Sequence, residues 1–360
     1  MLILLIALAS GLFVGGRSAR SQQSQTQVSE HDISQLQTLA KAGDATAQLG
    51  LAKAYRSGEA VPVNYQEAFE WAAKSAQQNS SEAQEMLGQM YLIGQGVGQD
   101  KKVAVEWFHK SARQGNADAM YSLGAAYYNG DGVNIDDALS CAWFTLAKEN
   151  GNPLAGEAAQ RASDLKPGIV TDGFVRIARM YESGTDLPAS QAEAAKWTLK
   201  AAEKGDSLAQ RAIGMKLLAG TGVPQNFAAA RDWCDKAAKQ GDTAAEYCLG
   251  YIEQLGLGVN KNPKEARVRY ERAAQRLYPP AIKALAQMEA SGEGGKVDRL
   301  QACLLYFSLA ASGDNDALSK LAQLKRTMEA KEWKKVEERL SAMHFDQAKL
   351  NGALEKITVQ

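Results

Sequence analysis

Seven glycines recur along this chain on a fixed period. Gly58, Gly94 and Gly130 are 36 residues apart, Gly184 follows after 54, and Gly220, Gly256 and Gly292 return to steps of 36. The long step is one period plus an 18-residue insertion. Leu51, Leu87, Leu123, Ile177, Ile213, Leu249 and Leu285 keep the same period, as do Trp71, Trp107, Trp143, Trp197 and Trp233, whose place is taken by Arg269 and Leu305 in the last two units. Self-similarity at this spacing means that the chain folds as stacked supersecondary units, each too small to cover its own apolar face.

A second in-phase position says what each unit contains. Asn64, Asp100, Asp136, Ser190, Asn226, Asn262 and Asp298 all carry a short polar side chain that can accept from the unpaired amides of a helix start. Glu67, Glu193 and Glu265 stand three residues later, in the pattern of a capping box. The periodic glycine lies six residues before the cap, where a preceding helix must stop in a left-handed conformation. Each unit therefore reads as helix A, a glycine turn and helix B. Gly88, Gly124, Gly214 and Gly250 fall inside helix A, where glycine costs about 1 kcal/mol against alanine, so close approach of helix B is expected there.

The N-terminus is of another kind. Leu2 to Gly16 is an apolar run followed by Arg17 and Arg20, shorter than the roughly 20 residues that span a bilayer but of the length of a secretory core. Residues 1–20 are expected to be a signal peptide or a short membrane anchor, and 21–30 a Gln/Ser-rich linker. The protein is then exported, periplasmic or anchored at its N-terminus, meeting the membrane only through that segment.

The second unit, AQEMLGQMYLIGQGVGQDKKVAVEWFHKSARQG, resembles the Sel-one-like repeat family, a branch of the tetratricopeptide-repeat superfamily, almost position for position. The resemblance covers about residues 31 to 345 and implies an all-α, right-handed solenoid of seven 36-residue helix-turn-helix repeats with capping helices. ISQLQTLAKAG reads as a lone first helix, and residues 315–343 as two closing helices, with Thr327 able to cap the second. Within the 31–360 solenoid the insertion suggests sub-modules 31–170 and 171–360, bent at Pro167 and Gly168. Proteins of this family act as scaffolds and adaptors, often in bacterial envelope assemblies. A non-enzymatic scaffold that binds a protein or peptide on its concave face is therefore expected. The alternatives are a β-lactam-binding or -hydrolysing protein, whose branch carries a regular cysteine pair in each repeat that is lacking here, and an adaptor for cell-wall or exopolysaccharide assembly.

No chemistry competes with that expectation. Lys plus Arg and Asp plus Glu both number 41, so the basic excess that phosphate binding requires is missing and no nucleic-acid partner is expected. His31, His109 and His344 are scattered, and GQGVGQDKK lacks the G-K-[ST] of a phosphate loop, so neither metal nor cofactor is expected. Cys141 and Cys303 hold equivalent places four units apart, the insertion included, and should not meet. Cys234 and Cys248 lie seven residues either side of Gly241, and a disulfide between them is one reading, two small buried residues the other.

Transferring the phase of the tetratricopeptide pattern places helix A along the concave surface. The groove candidates are Lys53, Arg56, Glu85, Gln89, Tyr121, Tyr128, Arg179, Glu182, Arg211, Met215, Tyr247, Tyr251, Lys283 and Gln287. The tyrosines at 121, 128, 247 and 251 are not required by the repeat and suit an interface, unless they fill gaps between units. Tyr55, Tyr91, Tyr127 and Tyr181 hold the recurring core phase.

Overall fold

A computed structural model of the protein describes residues 30–343, with Gly352 and Glu355. Among the described residues all regular structure is helical, in 18 helices. The helices fall into two compact units, residues 1–190 and 191–360.

The first unit opens with the lone helix α1 (Glu30–Lys41). Three A/B pairs follow: α2 (Ala45–Ser57) with α3 (Tyr65–Gln77), α4 (Ser81–Ile93) with α5 (Lys101–Ala112), and α6 (Ala117–Asn129) with α7 (Asp137–Glu149). The 18-residue insertion supplies α8 (Ala155–Ser163), and α9 (Ile169–Ser183) closes the unit. The second unit holds α10 (Gln191–Glu203), then the pairs α11 (Ser207–Ala219) with α12 (Phe227–Lys239), α13 (Thr243–Leu255) with α14 (Pro263–Gln275), and α15 (Pro279–Ser291) with α16 (Arg299–Ala311). It ends in α17 (Asn315–Thr327) and α18 (Ala330–Ala342).

The division falls after residue 190, not after 170, because α9 packs on α7 and α8: Ile169 is buried with Ala138, Cys141, Phe144 and Ala162. Closure of the array also differs from expectation at one residue. Thr327 ends α17 and turns its hydroxyl back to the Leu324 carbonyl at 2.8 Å, while Glu332 accepts the Glu329 amide at 3.1 Å at the start of α18. Met328 between them is extended, which removes Thr327 from capping reach.

The repeat's signals act as expected at the helix ends. Asn64, Asp100, Asp136, Asn226, Asn262 and Asp298 each accept amides of the following first turn, and all seven periodic glycines end helix A with positive φ. The glutamates three residues on are used differently. Glu67 accepts from Trp71 Nε1 at 3.1 Å, and Glu265 faces Arg269 at 3.7 Å, because a partner one turn ahead lies on the packed side of helix B.

Inside helix A the glycines make room for helix B. A Cβ at Gly88 would fall 2.5 Å from Phe108, at Gly124 2.6 Å from Phe144, at Gly214 2.7 Å from the Cys234 sulfur and at Gly250 2.7 Å from Tyr270. At Gly88, Gly124 and Gly250 one aromatic ring on helix B thus fills the space that one missing side chain on helix A leaves, and at Gly214 the Cys234 sulfur does, at interior packing density. Amide ladders join successive repeats. Buried Gln48, Gln84 and Gln210 each donate to the end of the preceding helix B, at Ala40, Ala76 and Ala202, and accept from Gln78, Gln114 and Gln240 at 2.8–2.9 Å. These bonds satisfy polar groups that water cannot reach, and a one-repeat slip would break them.

Candidate functional site

The helix-A positions expected to face a partner divide by how much of each side chain the packing consumes. In the first unit, Lys53 and Arg56 on α2 and Glu85 and Gln89 on α4 come together in a cleft of about 1090 Å³ that reaches the start of α6 at Asn116 to Asp118. Their presence there follows from the repeat: the positions flanking the buried Leu51 and Leu87 turn away from helix B. Lys53 pairs with Glu82 at 2.6 Å. Arg56 donates to Gln89 at 2.8 Å and to Gln95 at 3.3 Å, and Gln89 in turn donates to Glu85 at 2.5 Å. Asp118 accepts from the Asn152 amide at 2.7 Å. Burial, with the Asp118 charge nearby, pushes the Glu85 carboxyl up to about 7, against the opposing pull of Arg56, the Gln89 hydrogen bond and Lys53.

Tyr121 and Tyr128 do not stand free in this unit. Both are half-buried against the Ala138, Cys141, Phe144 and Ile169 cluster, and the Tyr121 ring lies 5.3 Å from Phe144. The insertion explains this, since Ala158, Ala159 and Ala162 of α8 enter the same cluster and enclose side chains that would otherwise face solvent. Arg179 and Glu182 lie exposed on α9. The core-phase tyrosines pack as expected: Tyr55 lies with Trp71, and Tyr91 meets the Phe69 ring edge-on at 5.5 Å.

The second unit presents a different face. Arg211 pairs with Asp242 at 3.0 Å and Lys283 with Asp316 at 2.6 Å. Tyr247 is consumed by packing between Tyr270 and Tyr278, at 5.5 and 5.6 Å. Tyr251 remains 41% exposed, with Met215 and Leu255 each 50% exposed, and Gln287 is exposed as well.

What the sequence reading missed is a buried ionic network in this unit. Arg267 meets Glu289 at 2.5 Å, and Arg269 meets Glu246 at 3.1 Å and Glu253 at 3.7 Å. Glu253 and Glu289 occupy the phase of Tyr55 and Tyr91, and Arg269 that of the tryptophans. The signal was present, because tyrosine gives way to glutamate in the same two units in which tryptophan is lost. Burial raises both glutamate carboxyls while their arginines oppose the rise.

The remaining reactive groups are packed. His109 lies edge-on to Trp143 at 5.6 Å, with Nδ1 3.6 Å from Asp186, and burial lowers its pKa while Asp186 opposes the shift. The side chain of His31 and all of His344 lie outside the described residues. Cys141 and Cys303 are buried, and burial pushes the Cys303 thiol up to about 12, far from a reactive thiolate. Cys234 and Cys248 face each other across the α12–α13 hairpin with Cα atoms 6.5 Å apart, within the span that a disulfide bridges. Among the described residues no His, Cys, Asp and Glu cluster could hold a metal ion, and no helix is long and apolar enough to cross a membrane. Residues 1–20 and all of the 21–30 linker but Glu30, which opens α1, lie outside the described residues.

The Sel1 repeat model matches residues 45–80, 81–116, 117–152, 175–206, 207–242, 243–276 and 279–315. Among solved structures the chain is similar to a protective antigen of uropathogenic Escherichia coli strains displaying an SLR fold. The two are 30% identical over 88% of this chain and 73% of that one, with a TM-score of 0.44. It is also similar to a Sel1 repeat protein from Oxalobacter formigenes, 28% identical over 82% of this chain and 80% of that one, with a TM-score of 0.39. A search of curated proteins gives no match.

Proposed function

The chain belongs to the Sel1 repeat family, and from that premise we propose that it is a non-enzymatic scaffold of the bacterial cell envelope, holding a protein or peptide partner along the helix-A faces of its repeats. Sel1 repeat proteins generally mediate protein–protein interaction, and the family's fold is typically that of a non-enzymatic scaffold. The observation that carries the reading for this chain is the first-unit cleft. Lys53, Arg56, Glu85 and Gln89 come from two successive repeats and enclose about 1090 Å³, and their contacts to one another leave that space open. A cleft of this size accepts several residues of an extended peptide. The envelope location rests on the apolar Leu2 to Gly16 run followed by Arg17 and Arg20, which reads as an export signal or an anchor.

Crosslinking of the full chain in envelope extracts, followed by affinity capture, tests the scaffold reading. A defined protein should be recovered with wild type and lost with a K53A/Q89A variant that melts at the wild-type temperature. Equal recovery from both would move the binding surface elsewhere. Fractionation with an antibody against the solenoid tests the location, and a signal confined to the cytosol would refute it.

A further inference from the structure

The cleft of the first unit is not neutral. Two basic side chains, Lys53 and Arg56, and four acidic ones, Glu59, Glu82, Glu85 and Asp118, line it. Lys53 is already matched by Glu82 at 2.6 Å. The acids at the far wall are met differently: the donors to Glu85 and Asp118 are the uncharged amides of Gln89 and Asn152, at 2.5 and 2.7 Å. Neutral amides satisfy hydrogen-bond geometry but leave the negative charge standing, and in a cleft that charge is less screened than on an open surface. The two carboxylates are close enough that the Asp118 charge adds to burial in raising the Glu85 carboxyl. Beside them Tyr65 and Ile93, 41% and 42% exposed, give the same cleft an apolar wall.

We propose that this cleft takes an extended peptide segment of the protein partner that carries a lysine or arginine, its cationic head lying between Glu85 and Asp118 and a neighbouring apolar side chain against Tyr65 and Ile93. The inference rests on the scaffold reading above and names the chemistry of the partner. A cation at this place replaces repulsion between two carboxylates by attraction to both, and the site's excess of acid over base disfavours an acidic segment. A lone metal ion would leave most of a 1090 Å³ space unused, whereas a basic side chain on a peptide fills it. Binding also expels the proton that Glu85 holds at and below neutral pH. The charged groups facing Glu85 are Lys53 and Arg56 from α2 and Asp118 from α6, and the neutral Gln89 of its own helix donates to it. Lysine and arginine of the peptide keep their charge across this range, so affinity rises from pH 6 to pH 8.

A randomised peptide library, displayed on phage and selected against the full chain at pH 8, tests the assignment. Selected sequences should share a lysine or arginine. Synthetic copies should bind an E85Q/D118N variant roughly tenfold or more weakly than wild type, and should bind wild type more weakly at pH 6 or at high salt. The pH profile is read on wild type, so it holds even if the double variant melts early. Selection of peptides with no basic residue, or basic peptides that bind with a flat pH profile, would overturn the proposal. Peptides without a basic residue whose binding is lost in K53A/R56A would leave the scaffold reading standing and remove the cation alone. Failure to select any peptide that the full chain binds would remove both.

Discussion

Phe69 against Tyr91 in the first unit and Arg267 against Glu289 in the second occupy the same positions of the repeat, five periods and one insertion apart. The first pair is an edge-to-face aromatic contact at 5.5 Å, the second an ion pair at 2.5 Å. Tyr55 with Trp71 and Glu253 with Arg269 repeat the comparison within a single repeat. The backbone at these places sets a distance and a volume, and two quite different chemistries meet it. Both partners change together, because a glutamate left against an aromatic ring, or an arginine against a tyrosine, would bury an uncompensated charge. The second unit has therefore given up non-directional apolar packing for a network that works only when complete.

Breaking that network should have the largest effect. R267A leaves Glu289 buried without its cation and should cost about 3–5 kcal/mol at neutral pH, measured by urea unfolding with hydrogen exchange followed in α14 and α15. The deficit should shrink in acid, where Glu289 takes up a proton. R267F/E289Y, which installs the first unit's pair, should restore the wild-type value or exceed it. A double variant no better than R267A would show that the two sites are not interchangeable.

The cysteine pair gives the second unit another device that the first lacks. We expect Cys234 and Cys248 to be joined when the protein is oxidised, with the bond closing a separation of 14 residues. C234S should then cost about 3 kcal/mol by chain entropy, and reductant should abolish the difference. Peptide mapping without reductant that recovers both as free thiols would end this expectation.

The helix-A glycines sharpen the comparison from the other side, since both units use them alike. G88A against Phe108 and G250A against Tyr270 should each lose about 1–3 kcal/mol through overpacking, although alanine is the better helix former. Gains in melting temperature would show that the helices can part freely.

The smallest effect belongs to Glu85. Its folded carboxyl, raised to about 7, binds a proton more tightly than it does in the unfolded chain. The first unit should be most stable below the ordinary glutamate range near pH 4.5 and should lose that contribution as pH rises through about 7. E85Q should remove this slope from the pH profile of the first unit's unfolding, and an unchanged slope would place the titration elsewhere.

Much of this was legible in the linear chain, for reasons that differ from residue to residue. Asn64 and Gly58 act through their own backbone neighbourhood, so their meaning needs no knowledge of what packs on them. Gly88 announced a close approach but not its partner, which is Phe108, 20 residues further along on helix B of the same repeat. The insertion was visible as a broken period, yet its consequence for Tyr121 and Tyr128 was not. Their side chains are enclosed by α8, a helix that no other repeat possesses. Of the groove candidates, Lys53, Arg56 and Gln89 share the cleft with Glu85, while Tyr247 spends its ring on Tyr270 and Tyr278.

The sequence by itself determined the all-helical repeat, the seven units and the ends of their helices, because periodicity, caps and glycine turns are local signals that recur until chance is excluded. Tertiary structure alone decided which in-phase side chains remain available. Exposure depends on what neighbouring repeats and the insertion place on top of each residue. Lys53 and Tyr121 both flank buried helix-A positions, and only packing separates the open cleft of one from the filled cluster of the other.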